Sequence, residues 1–161
     1  MKRLFLISSA LFLFTTINYS QNISKHALGL RLGDNDGFGT EVNYQLGTGE
    51  NNRIEFGLGW RSKRDFNAFK ATALYQWVFA LDGNFQWYVG AGGGVAAFNY
   101  DSNLPLDPDD ETFAFAAGDI GIEYNFEIPL LLSLDFRPEI GFGNVNDDLE
   151  FDIALGIRYQ F

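Results

Sequence analysis

The final segment of the chain constrains its fold most. Leu149, Phe151, Ile153, Leu155, Ile157, Tyr159 and Phe161 share one parity, while Glu150, Asp152, Ala154, Gly156, Arg158 and Gln160 share the other. Successive side chains of a β-strand point to opposite faces, so this alternation describes a strand lying between two different media. A helix would scatter the same apolar residues around its circumference.

The period of two recurs backward along the chain, and from residue 26 onward no window holds a helical apolar period. Strand one sets Leu28, Leu30 and Leu32 against Ala27, Gly29 and Arg31. Strand two sets Phe38, Val42, Tyr44 and Leu46 against Gly39, Glu41, Asn43 and Gln45, with Thr40 an exception on the apolar side. Strand three sets Ile54, Phe56, Leu58 and Trp60 against Arg53, Glu55, Gly57 and Gly59. Strand four alternates from Phe69 to Phe79 against Lys70, Thr72, Leu74 and Gln76, and strand five from Phe85 to Val95 against Gln86, Tyr88, Gly90, Gly92 and Gly94. Strand six sets Ile120, Ile122, Tyr124 and Phe126 against Asp119, Gly121, Glu123 and Asn125. Strand seven sets Leu130, Leu132, Leu134 and Phe136 against Leu131, Ser133, Asp135, Arg137 and Glu139.

Eight strands close a barrel whose interior has room only for side chains. The apolar face carries Trp60, Trp77, Trp87 and many of the 17 Phe and 7 Tyr, which are too bulky to fill that interior together. The other face offers glycine, small residues and charges, which do fit. The apolar face therefore points outward into lipid, where an open sheet edge would leave backbone groups unsatisfied and only a closed sheet is viable. The expected fold is all-β: an eight-stranded antiparallel up-and-down transmembrane β-barrel.

The separators set its orientation. Short turns at Gly47 to Asn52, Asp82 to Asn84 and Glu127 to Pro129 alternate with the charged stretch Arg61 to Asp65 and the long stretch Asp101 to Glu111. Outer-membrane barrels keep short turns on the periplasmic side, so both termini are expected to be periplasmic. The connections at Asp34 to Asp36 and Asn144 to Asp148 then fall outside.

Residues 1–20 read as a signal peptide: Lys2 and Arg3, an apolar run from Leu4 to Phe14, then small and polar residues through Ser20. That run is shorter than the ~20 residues of a spanning helix. One domain, 21–161, is expected to follow. Loss of the leader leaves 9 of the 11 basic residues against 21 acidic ones, a balance that repels nucleic acid. With no cysteine, disulfides and thiolate metal sites are excluded.

The closing segment Ile153, Leu155, Ile157, Tyr159 and Phe161 resembles the C-terminal signal that the barrel assembly machinery reads in bacterial outer-membrane proteins. With the leader and eight segments, the chain resembles the OmpA transmembrane domain and the OmpX-like family of small barrels. The resemblance implies the outer membrane of a Gram-negative bacterium, with lipid and lipopolysaccharide as surroundings and the assembly machinery as a partner during insertion. The outer connections look short beside the protruding strands of OmpX-like adhesion proteins, so adhesion is not implied.

Inward-facing charges are expected at Arg31, Glu41, Arg53, Glu55, Lys70, Asp119, Glu123, Asp135, Arg137, Glu139, Glu150, Asp152 and Arg158. Inside a narrow barrel such charges must pair, which reads as a structural plug or, alternatively, as a narrow ion path. A second candidate is an apolar pocket at Tyr88, Gly90, Gly92, Gly94, Phe98, Phe113 and Phe115. Continued alternation places Phe98, Tyr100, Phe113 and Phe115 inside, unless a β-bulge flips the phase and returns these rings to the outer girdle. The bulge is the favoured reading; the pocket version would bind a lipid or small apolar ligand, and Gly92→Leu would block it.

Pro138 suggests another bulge, or an exit of strand seven from the membrane. The acids Asp34, Asp36, Asp101, Asp107, Asp109, Asp110, Glu111, Asp147 and Asp148 read as a solvated outer rim, and Asp34-Asn35-Asp36-Gly37 lacks the closing Glu of a calcium loop because Gln45 stands there. Arg61, Lys63 and Arg64 could face lipopolysaccharide phosphates. His26, the one histidine, lies at the wrong end for a catalytic pair at the outer rim and is expected to be an exposed interfacial residue. The expected role is structural or accessory, without enzymatic activity or cofactor, beside a larger membrane-protein partner or acting alone. A small binding or transport module is the alternative.

Overall fold

The structure is a computed structural model that describes residues 23–33, 40–62, 66–100, 111–142 and 149–161. The expected signal peptide at 1–20, the acids expected to form a rim between residues 34 and 148, Phe38, Lys63 and Arg64 lie outside the described residues. So do the side chains of Arg61, Tyr100 and Glu111.

Eight strands form the described chain: β1 (His26–Gly33), β2 (Thr40–Gly47), β3 (Asn52–Ser62), β4 (Phe66–Asp82), β5 (Phe85–Tyr100), β6 (Glu111–Asn125), β7 (Leu130–Phe142) and β8 (Leu149–Gln160). Each pairs antiparallel with its sequence neighbours, and β1 pairs with β8 to close the barrel. The seam runs from Ala27 opposite Gln160 to Gly33 opposite Ala154. His26, Phe161 and the three short turns share one end by this topology. At the β4–β5 turn Gly83 takes φ +55°, the left-handed value that a two-residue hairpin of the II′ type needs at its first position.

Burial follows the alternation. Along β8 the odd positions are exposed, Leu155 at 62% and Ile153 at 63%, while Asp152, Ala154, Gly156 and Arg158 are buried. The exterior is a belt of leucine, isoleucine, valine and aromatic residues, and the interior holds most of the buried charge. This inverts a water-soluble protein and is the pattern of a barrel that meets hydrocarbon. Rings gather near the turn end: Phe79 stacks on Trp87 with centroids 4.6 Å apart, and Tyr124 meets Phe85 and Phe126 edge-on at 4.7 Å.

Two expected bulges are absent. The β5–β6 register runs unbroken from Phe85 opposite Tyr124 to Phe98 opposite Glu111, so no bulge turns the outer rings outward. The shift in β4–β5 instead lies beside the turn, between Ala80 and Asp82. Strand β7 likewise keeps its register through Pro138, which pairs with Phe151 of β8. On the β6 side the ladder skips from Ala117–Glu139 to Ile120–Phe136, so the missing donor faces Gly118, whose lack of a side chain admits the ring.

Strands β4, β5 and β6 have 17, 16 and 15 residues, against 8 each in β1 and β2. A tilted strand spans the hydrocarbon with ~9–11 residues, so this part of the wall is tall. Part of what separates the fifth and sixth alternating segments of the sequence is thus itself strand, so the expectation that this chain lacks extended strands is corrected at β5 and β6.

Candidate functional site: the barrel interior

The interior is built from the inward parity of all eight strands. Arg31, Glu41, Arg53, Glu55, Lys70, Asp119, Glu123, Asp135, Arg137, Glu139, Asp152 and Arg158 are all buried, and Glu150 is half-buried. Most of them meet across the lumen, while Arg31 also meets Glu41 and Asp152 on the two strands beside its own.

Arg31 of β1 donates through Nε to Asp135 of β7 at 2.9 Å and through a terminal nitrogen to Asp152 of β8, with Glu41 at 3.7 Å. Arg137 of β7 reaches Glu41 of β2 at 3.2 Å and Glu55 of β3 at 3.0 Å. The other Glu55 oxygen accepts from Arg158 at 3.1 Å and Gln45 at 2.7 Å. Arg53 forks onto Glu123 of β6 at 2.8 and 3.0 Å and donates to Gln76 at 2.6 Å. Lys70 of β4 bonds Glu139 of β7 at 2.7 Å. Strand β5 joins through Tyr88, whose ring centroid lies 4.8 Å from the Arg53 guanidinium carbon.

Buried charge is tolerated only when paired and hydrogen-bonded, and removal of one partner of such a pair typically costs ~3–5 kcal/mol. Cross-lumen pairs therefore act as ties between opposite walls. Asp119 differs from the rest: one carboxylate oxygen accepts from Gln76, and among the described residues it forms no ion pair. Gln76 reaches it past Gly90, where a Cβ would stand 2.8 Å from Gln76 Cγ.

The second candidate group separates into two places. Tyr88 sits with Arg53, not with the outer rings. Phe115 is buried with Leu74, Ala96 and Ala117, and Phe98 and Phe113 pack against them, their rings stacked 5.9 Å apart. The space over Gly94 is occupied, since a Cβ there would stand 2.6 Å from Phe115 Cζ. At Gly92 a Cβ would overlap the Ala73 carbonyl, so Gly92→Leu would disturb the wall itself and cannot serve as a selective block.

His26 is half-buried rather than exposed. Its ring lies between Tyr44 and Phe161, at centroid distances of 6.1 and 5.5 Å, and Nδ1 shares a 2.7 Å hydrogen bond with the Tyr44 hydroxyl. The Phe161 amide donates to the His26 carbonyl at 2.9 Å. The last residue of the chain thus closes onto the start of β1. Sequence reading missed this clasp, and it grouped Leu74 and the neutral Asn43, Gln45, Gln76, Gln86 and Ser133 only by parity, although all six are buried participants of the lumen.

No protein-family model matches the sequence, and no curated protein matches it. Among solved structures, the chain is similar to the N-terminal β-barrel domain of OprF from Pseudomonas aeruginosa, with 15% identity and a TM-score of 0.68 over 88% of this chain and 100% of that one. Its fold is that of the small outer-membrane barrels. A de novo designed transmembrane β-barrel matches at 16% identity and a TM-score of 0.56, covering 89% and 100% of the two chains. Ail, the attachment invasion locus protein of Yersinia pestis, matches at 16% identity and 0.52, covering 86% and 97%. At these identities the likeness concerns architecture, and function must come from the site.

Proposed function

We propose that this protein is a structural or accessory barrel of the Gram-negative outer membrane, non-enzymatic, with both termini periplasmic and its lumen held shut by a charged side-chain network. The observation that carries the reading is the set of cross-lumen ion pairs, in which Arg31, Arg53, Lys70 and Arg137 each join carboxylates on strands far apart in sequence. A lumen braced in this way resists collapse and unfolding and leaves no wide aqueous bore. The apolar exterior and the Phe161 seam suit insertion and closure in the outer membrane, where the chain stabilises its surroundings or sits beside a larger membrane protein.

Purified protein in planar bilayers should show no steady openings, and steady openings would sink the closed-barrel reading. Cells lacking the chain should become more sensitive to detergent, with rescue by the unmodified protein. A stoichiometric partner recovered from native membranes would assign the accessory form of the role.

A further inference from the structure

The lumen is not one medium. Across β1 to β6 the paired positions Gly29, Asn43, Gly57, Thr72, Gly94 and Phe115 form a single row in which glycine alternates with a side chain. In the middle of that row the Asn43 amide has neither its oxygen nor its nitrogen bonded, and the Thr72 hydroxyl is unbonded, although both residues are buried. The row ends on the buried Phe115 ring.

The same contrast extends to either side. One oxygen each of Asp119, Asp135 and Asp152, and the Nε atoms of Arg137 and Arg158, are also buried without partners. Buried polar groups in folded proteins are satisfied, and where protein groups do not reach them water does, provided the site is polar. The aromatic cluster offers no such demand: Phe115 packs on Leu74, Ala96 and Ala117, and Phe98 and Phe113 stack beside it. Apolar constrictions stop ions by excluding water, whereas charged walls admit hydrated ions. The two media meet where the Lys70 ammonium lies 5.0 Å from the Phe115 ring centroid.

We propose that the lumen is hydrated along the ion-pair network, and that the aromatic cluster around Phe115 is the barrier that keeps it from passing small monovalent cations. The inference rests on the closed-barrel reading above and changes one part of it: the charged network braces the walls, and the block to ions is moved from that network to the aromatic cluster. Cations are the selected species because, among the described residues, the buried lumen carries seven carboxylates, Glu41, Glu55, Asp119, Glu123, Asp135, Glu139 and Asp152, against five cationic side chains. Ion pairs can exchange partners with water and with a passing ion; stacked rings have nothing to exchange.

The test is conductance in planar bilayers under a potassium chloride gradient, for the unmodified protein, Phe115→Ala and Glu41→Gln. Folding of each is checked by heat-dependent gel mobility and circular dichroism. Phe115→Ala should open steadily, with a reversal potential displaced towards that of potassium, while the other two stay silent. Phe98→Ala, at the margin of the cluster, carries the same expectation should Phe115→Ala fail to fold. Silence of the folded phenylalanine variants, or openings from Glu41→Gln alone, would overturn the barrier. Openings from the unmodified protein would overturn the closed-barrel reading and the barrier together, so the two failures are distinguishable.

Discussion

At the β8–β1 seam, bulky side chains point outward and small or charged ones inward: Leu155 and Ile157 face lipid, while Ala154, Gly156, Arg31 and Asp152 face the lumen. In the half of β5 and β6 away from the short turns the sizes are reversed. Ala91, Gly93, Ala97, Ala114 and Ala116 hold the outward parity, and Phe98, Phe113 and Phe115 hold the inward one. Both regions keep a period of two and an unbroken register, so period alone does not tell which face is large. Room is set by the lateral neighbour. Phe115 pairs with Gly94 on one side and Gly141 on the other, Tyr88 pairs with Gly121, Arg158 with Gly29, and Arg31 with Gly156. At these positions a large interior side chain stands beside a glycine on the next strand, the small-and-large alternation of closed barrels, whereas Leu131 lies between Asn125 and Arg158 without one.

The largest effect that tests this contrast is expected at the seam interior. Arg31→Ala removes the shared donor of Asp135 and Asp152 and leaves both carboxylates buried, a loss of ~3–5 kcal/mol. Urea unfolding in lipid vesicles should show it as a lowered midpoint. Loss below 1 kcal/mol would mean that water, not Arg31, satisfies those acids.

On the exterior of the same seam, Leu155→Arg places a charge in hydrocarbon and should cost ~2–4 kcal/mol near mid-membrane. Gln160→Arg, on the lumen parity near the chain end, should be mild. Equal tolerance of the two substitutions in the same unfolding assay would contradict the assigned facing.

Much of this architecture was legible in the sequence because parity is a local property. The charged residues from Arg31 to Arg158 could be placed inside without knowing which strand meets which, since each sits opposite bulky apolar neighbours in its own strand. The aromatic cluster was legible only as the less favoured of two readings, since continued alternation placed Phe98, Phe113 and Phe115 inside and the favoured bulge placed them outside. Phe115 fits inside only because Gly94 and Gly141 lie beside it, and that pairing depends on register between strands joined by a long connection. The sequence argument that rings are too bulky for the interior holds for the wall as a whole and fails where lateral glycines make room. The ion-pair partners were hidden for the same reason, since Lys70 and Glu139 meet across the lumen from strands β4 and β7. His26 was misread because its neighbours Tyr44 and Phe161 come together only when the barrel closes.

The closing clasp gives a smaller effect. His26→Ala removes two ring stacks and the Tyr44 hydrogen bond while leaving the Phe161 amide bonded to the residue 26 carbonyl. Aromatic pairs add ~0.5–1.5 kcal/mol each beyond their burial, so loss of the two should lower stability by ~1–3 kcal/mol, with faster exchange of the β1 and β8 amides by hydrogen exchange. Exchange that quickens equally in β5 would show that the clasp does not act on the seam.

The smallest effect is predicted on the exterior of the tall wall, and it separates two reasons for the small residues there. If Ala73 is small merely because lipid fills the space above it, Ala73→Leu adds an apolar side chain to an exposed outward position and should change stability within about ±0.5 kcal/mol. Its lateral neighbours Phe56 and Gly93 leave that direction open to lipid. Inside the wall the same added bulk has nowhere to go: at Gly94 even a Cβ overlaps the Ala71 carbonyl and crowds the Phe115 ring. Gly94→Ala should therefore be clearly destabilising in the same unfolding assay where Ala73→Leu is neutral. A penalty at Ala73 comparable to that at Gly94 would mean that the outward small surface is itself packed against something, and the reversal of size in β4–β6 would then reflect a covered face rather than a crowded lumen.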